Sequence, residues 1–436
     1  MLEGFANAGR IPELRRRLLF TFAMLAVYRA VVVIPTPGID GTALGEFFAQ
    51  MQDVFGWVNL LSGGALEQFS IAALGIMPYI SASIILQLMT VVIPHLERLS
   101  KEGEVGRRKI TQYTRYGTVV LAVVQGLFIS IGLEKLQAPG GAAVVYQPGW
   151  SFRVMTVITL AAGTAFLMWL GEQISERGIG NGISMLIFAG IVARLPHAVT
   201  TTVQFVREGE MSILTLLAIA ALMVLIVGVI IFVERGQRRI PVQYAKRVVG
   251  RRMYGGQSSH LPLKLNTAGV IPPIFASSLL VFPATIAQFV QHPWAQAAGQ
   301  WLSAGEGLYN VLFVLLIIFF SYFYTAVTFN TSDVAENMKK FGGFIPGIRP
   351  GQRTAEYIDR VLSRITLAGA LYVATVCILP TILVRQFNVP FYFGGTALLI
   401  VVGVALDTVA QIETHLLTRS YQGFMRRGRL RGRRTS

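Results

Sequence analysis

Long apolar runs separated by shorter polar stretches dominate the pattern of this chain. Crossing the hydrocarbon core of a bilayer takes about 20 mostly apolar residues in a helix. Ten segments fit: 18–35, 72–94, 114–134, 152–172, 181–199, 212–233, 267–291, 308–329, 366–386 and 391–413. Ten such segments predict an all-α polytopic membrane protein. Residues 2–17 contain Arg15, Arg16 and Arg17, and no small-x-small cleavage site follows the first apolar run. They fit a short amphipathic helix before a retained span better than a cleavable signal.

The first three spans of each half recur in register. Spans beginning at 18, 72 and 114 are answered by spans beginning at 212, 267 and 308. Residues 75–83 (GIMPYISAS) and 269–277 (GVIPPIFAS) agree at five of nine positions: Gly75/Gly269, Pro78/Pro272, Ile80/Ile274, Ala82/Ala276 and Ser83/Ser277. Five spans per half make two inverted, pseudo-symmetric five-helix halves. Gly/Pro-interrupted helices at matching positions point to a central site between them. The competing reading is that Gly and Pro are common in membrane helices, which accounts for either motif alone.

Composition then narrows the class. Of 436 residues 53% are hydrophobic and 14% charged, against about 25% charged in soluble domains. An ordinary soluble enzyme is excluded, and 27 Phe exclude a disordered chain. Lys and Arg number 38 against 22 Asp and Glu, a net charge of +16. With a cytoplasmic N-terminus, 32 of the 38 basic residues fall in inside loops, at their span edges or in the tail. That bias predicts cytoplasmic termini. Arg29, Arg194 and Asp407 look deeper, but each is within about two turns of a span end and can snorkel. Cys377, the one cysteine, lies in an apolar run and reads as a small buried hydrophobe.

The stretch 36–71 lies outside and contains neither Lys nor Arg. Its end, residues 59–70, is too short to span and too apolar for a solvated loop. It is either a re-entrant half-helix lining a cavity or an interfacial helix on the outer surface.

Familiar catalytic patterns are missing. The chain has no Gly-Lys-Ser/Thr phosphate loop, no His-Glu-x-x-His, no cysteine pair and no Gly-x-Ser-x-Gly elbow. Gly178-Ile179-Gly180-Asn181-Gly182 follows no strand and reads as a tight turn opening the fifth span. No carboxylate or histidine stands near a midplane, which weakens an ion-coupled small-solute transporter, the alternative function. The inside stretches 234–266 and 330–365 are instead long, basic and rich in turn residues. They suit docking of a large acidic partner.

Several motifs together resemble the SecY family of protein-conducting channels over essentially the whole length. They are Leu61-Ser62-Gly63-Gly64, residues 73–83, Glu102-Gly103-Glu104, Gly106-Arg107-Arg108-Lys109, residues 178–184, residues 234–240, residues 344–351 and residues 390–396. The resemblance implies a clamshell of two halves around an hourglass pore, with no catalytic step and no cofactor. It implies a pore ring of Ile76, Ile80, Ile183, Ile187, Ile274 and Ile400. It also implies a plug at Ser62, Gly63, Gly64, Ala65, Leu66, Glu67, Gln68, Phe69, Ser70 and Ile71, and a polar lateral gate at Gln87 and Asn266. Docking of the ribosome through rRNA, or of the SecA motor, falls to Arg238, Arg239, Lys246, Arg247, Arg251, Arg252 and Arg349. Further implied partners are small SecE-like and SecG-like membrane subunits, signal peptides, unfolded polypeptides and membrane lipid. The domain plan is then a cytoplasmic segment 1–17, a half at 18–199, an external hinge 200–211, a half at 212–413 and a basic tail 414–436. An aliphatic ring suits that task, because it can block ions by dewetting and still yield to a passing chain.

Overall fold

A computed structural model describes residues 11–50, 63–136, 143–209, 212–244, 247–249, 252–254, 258–289, 307–387 and 395–431. A helix stands at each of the ten predicted segments. In the first half these are α1 (Pro12–Val33), α3 (Met77–Val92), α5 (Glu104–Lys135), α6 (Trp150–Arg177) and α7 (Gly182–Arg207). In the second they are α8 (Ile213–Glu234), α9 (Ile271–Phe289), α10 (Gly307–Thr328), α12 (Gln352–Phe387) and α13 (Gly395–Arg431). Shorter helices are α2 (Gly41–Gln50), α4 (Pro94–Lys101) and α11 (Thr331–Lys340). Seven described helices are long and apolar enough to cross a membrane, or eight if α3 and α4, bent by 101°, form one span.

The chain divides into two compact units, Met1–Gln204 with Ile400–Ser436, and Phe205–Leu399. In the first, α5 packs on α3 and α6. Lipid tails are as apolar as leucine, so membrane helices associate through close packing of small residues. Accordingly Thr114, Thr118, Ala122, Gly126 and Ser130 repeat every fourth residue of α5, and all are buried. The sequence 178–182 is the expected turn. The Asn181 side chain accepts from the Ile183 and Ser184 N–H groups at 3.1 and 3.4 Å, capping α7. The turn is clasped from both sides. The Ile179 N–H donates to Thr21 Oγ1 of α1 at 3.1 Å, and the Gly180 N–H donates to Gln411 Oε1 of α13 at 2.8 Å. Leu14, Ile179 and Ile412 form an apolar cluster beneath it.

In the second unit α10 packs between α9 and α12. Short strands accompany the helices here. The two basic inside stretches contain strands β1 (Gln237–Tyr244), β4 (Ser258–Lys264) and β5 (Gly343–Phe344), in the order β4-β1-β5. A separate pair joins β2 (Arg247–Val249) to β3 (Arg252–Tyr254). Ile240 and Val242 alternate inward along β1 and meet Leu263, Met338, Ile345 and Ile358 in one small core. Burying these apolar side chains is what lets two charged stretches, distant in sequence, fold as one body.

The internal repeat has a local cause. Gly75 and Gly269 both adopt left-handed backbone, with φ of +58° and +64°. Each is followed within three residues by a proline in a helix's first turn, Pro78 in α3 and Pro272 in α9. Only glycine takes that φ without strain, and proline's fixed φ suits the opening turn. The matched residues therefore specify the same entry into a membrane helix twice.

Candidate functional site

The segment expected as a plug half-helix is a chain of turns across residues 63–76. Positive φ at Gly63, Gly64, Phe69 and Gly75 interrupts any regular helix there. Ser62 lies outside the described residues. Most of the segment is nevertheless enclosed by the first unit: Ala65, Leu66, Phe69, Ser70, Ala72 and Ala73 are all buried. Gln68 is exposed and Ile71 half-buried. Its far end is tied to the strand-like stretch after α1. The Thr36 N–H donates to the Phe69 carbonyl, and the Ile71 N–H to the Ile34 carbonyl, both at 2.9 Å.

Its near end meets two arginines, Arg29 and Arg194. Arg29 Nη1 donates to the Gly63 carbonyl at 3.0 Å. Arg194 pairs with Glu67. Gly63 fits because it has no side chain: a Cβ there would lie 2.8 Å from both the Gly190 Cα and the Tyr28 hydroxyl. Here the guanidinium groups reach protein acceptors. An arginine within a span was itself the signal, since such a residue defaults to a functional one.

The six isoleucines are largely withdrawn from solvent. Ile76 precedes α3 and accepts at its carbonyl from the Ile80 N–H at 3.1 Å, which puts both on one face. Ile76, Ile80, Ile187 and Ile400 are 7%, 8%, 4% and 0% exposed, and Ile183 is half-buried. These five belong to the first unit; Ile274, 7% exposed, belongs to the second.

Of the two gate amides, Gln87 is half-buried on α3 and donates weakly to Ser83 Oγ at 3.4 Å. Asn266 is fully engaged inside the second unit. Its Nδ2 donates to Glu234 Oε1 at 2.7 Å and to the Gly269 carbonyl at 3.0 Å, and its Oδ1 accepts from the Gly269 N–H at 3.1 Å. This ties the approach to α9 to the end of α8. Glu234 went unnoticed in the sequence because it looked like another charge at a span end. Replacing Asn266 with Leu leaves the Glu234 carboxylate short of a donor, so a loss of about 1–3 kcal/mol is expected. Thermal unfolding in detergent measures it, and an unchanged midpoint refutes the role.

Among the basic docking residues, Arg238 and Arg239 are exposed on β1, opposite Leu263 and Pro262 of β4. Arg247 opens β2 and Arg252 opens β3. Lys246 and Arg251 lie outside the described residues. Arg349 is exposed on a tight loop, where the Ile348 N–H donates to the Ile345 carbonyl at 3.0 Å. Thr354 Oγ1 donates to the Arg349 carbonyl at 3.0 Å, so the backbone is held while the guanidinium stays free. No cluster of three metal-ligating side chains occurs among the described residues.

The SecY family model matches residues 70–409. The chain is 52% identical over 429 residues to the protein translocase subunit SecY of Escherichia coli K12, covering 97% of this chain and 96% of that one. The chain belongs to the SecY family. Another SecY, from Pseudomonas aeruginosa, is 52% identical over 436 residues, covering 99% and 97% of the two chains. Solved structures agree in fold. A protein-conducting channel aligns with TM-score 0.65 at 17% identity over 92% of each chain. Sec61 in a canine ribosome–channel complex aligns with TM-score 0.61 at 16% identity, also over 92% of each chain. The ten-helix polytopic membrane fold of SecY is therefore the fold of this chain. Membership in a translocase-subunit family sets aside the small-solute transporter.

Proposed function

We propose that this chain is the central protein-conducting channel subunit of a Sec translocon. It passes unfolded secretory proteins across the membrane and releases hydrophobic segments sideways into lipid. The observation that carries this reading is near-complete alignment, at 52% identity, with a SecY translocase subunit. The turn-built segment 63–76, enclosed within one unit, supports it as a removable stopper. Ile76, Ile80, Ile183, Ile187, Ile274 and Ile400 would form the collar, and Gln87 and Asn266 would flank the lateral exit. Translocation is a passive passage in which the chain performs no catalytic step; energy comes from a docked ribosome or a SecA motor. Small SecE-like and SecG-like subunits complete the complex. The positive-inside bias supports placement in the cell membrane with both termini in the cytoplasm. Residues 200–211 would serve as the external hinge between halves at 18–199 and 212–413, with 1–17 and 414–436 as cytoplasmic ends. The direct test is transport of a labelled secretory precursor into vesicles reconstituted with the purified complex and motor. Protease-protected precursor in proportion to the amount of complex supports the reading; none, with the motor active, overturns it.

The basic stretch 234–266 supports ribosome docking, and the solved Sec61 relative sits in a ribosome–channel complex. Arg251→Glu with Arg252→Glu removes two phosphate attractions and adds two repulsions. Ribosome affinity is expected to fall at least about tenfold at physiological salt, and the parent's affinity to drop steeply as salt rises. Cosedimentation with ribosomes across a salt series checks both. Equal binding by the double variant removes this surface from the RNA-facing side.

A further inference from the structure

We propose that Arg29 and Arg194 form a two-point latch that holds the plug segment shut by its tip, with the opposite end acting as a fixed hinge. This rests on the channel reading above and deepens it by naming the groups that must let go.

The two ends of the segment are held by different kinds of bond. At residues 69–71 the ties are backbone to backbone, from Thr36 to Phe69 and from Ile71 to Ile34, with an antiparallel bridge between Pro35 and Ser70. Helix α6 closes on the same end: a Cβ at Gly163 would lie 2.0 Å from the Ile71 carbonyl oxygen. Such ties persist through side-chain motion. At residues 63–67 the ties to neighbouring helices include two side-chain bonds, Arg29 to the Gly63 carbonyl and Arg194 to the Glu67 carboxylate. The Arg194 and Glu67 side chains are 30% and 47% exposed, so water can replace their bond at little cost. At the root itself sits Phe69, buried yet at φ +40°, a backbone state that a bulky residue occupies only under strain. A tip held by exchangeable bonds, a root held by backbone and a strained residue at the root together describe a hinged flap.

The latch also spans two helices. Arg29 comes from α1 and Arg194 from α7. A movement of either helix lengthens one of these two bonds. A client chain that shifts α7 would weaken the hold on the tip without touching it.

The test is resting ion conductance of the purified, reconstituted complex in planar bilayers, with thermal stability read in detergent. Glu67→Gln and Arg194→Gln should each raise the frequency of spontaneous opening about threefold, and Arg29→Leu should act in the same direction. The exchange of Glu67→Arg with Arg194→Glu should return it to within about twofold of the parent, because the pair is remade in reverse. Deletion of residues 63–71 is the control. If the deletion leaks while the single variants fold and match the parent, the latch is refuted and the plug reading stands. If the deletion is also silent, the plug reading fails and the latch with it. Should Arg29→Leu not fold, the half-exposed Glu67→Gln still decides, since its loss removes little packing. Equal leak in the exchange and in the single variants also overturns the proposal.

Discussion

Asparagine at Ile76, Ile80, Ile187 and Ile400 should turn a resting channel that excludes ions into one that conducts them. A constriction lined by aliphatic side chains keeps ions out because water leaves it and an ion cannot cross unhydrated. An amide brought into such a place restores about 1–3 kcal/mol of hydration per group. Several together should lower the barrier enough to raise resting conductance by about 10- to 100-fold. The competing outcome is that these side chains, only 0–8% exposed, are ordinary packing. Polar replacement would then cost stability and give no current. Single-channel recording beside thermal unfolding separates the two. A folded, electrically silent variant shows that these isoleucines do not make the seal. Removal of residues 63–71 should leak less, or only transiently, since the collar would remain closed.

The second large effect is expected at Arg349. Its backbone is fixed by Thr354 and by the turn at Ile345, which is itself anchored in the small core with Ile240, Met338 and Ile358. Its guanidinium faces solvent. Arg349→Glu therefore reverses a presented charge without disturbing what holds it. A rim charge at an interface acts chiefly on docking, and a planar guanidinium is hard to replace. Motor-driven export should fall more than about tenfold while the unfolding temperature of the isolated chain shifts by less than about 2 °C. Precursor translocation into inverted vesicles measures the first and detergent melting the second. Normal export by a folded variant ends the assignment.

All ten membrane helices were legible because each satisfies a single local rule, a long apolar run, and the repeat was legible because Gly75 and Gly269 meet the same backbone demand. What escaped depends on contacts between residues far apart. The strand Gln237–Tyr244 shows inward alternation at Ile240 and Val242 alone, too short a signal amid Arg238, Arg239 and Pro241. Its partner Gly343–Phe344 lies a hundred residues away. The lack of regular helix across residues 63–76 follows from left-handed glycines, which a sequence also permits at helix ends. Arg194 and Glu67 are separated by 127 positions, so no local pattern could join them.

The clasp around residues 178–182 has a consequence for how the chain is made. Thr21 on one side is available early, but Gln411 on the other stands 231 positions beyond Gly180. A chain synthesised from its N-terminus thus leaves the ribosome with the first unit unfinished, and every helix of the second unit emerges before α13 can seat. Such late, long-range closure is slow and leaves a half-built body open to wrong partners for much of synthesis. During that interval α1 and the turn that opens α7 lack the last helix's side of the clasp. Truncation between Gln204 and Ile400 should therefore yield a first unit that is recognised and degraded, even though its first five spans are intact.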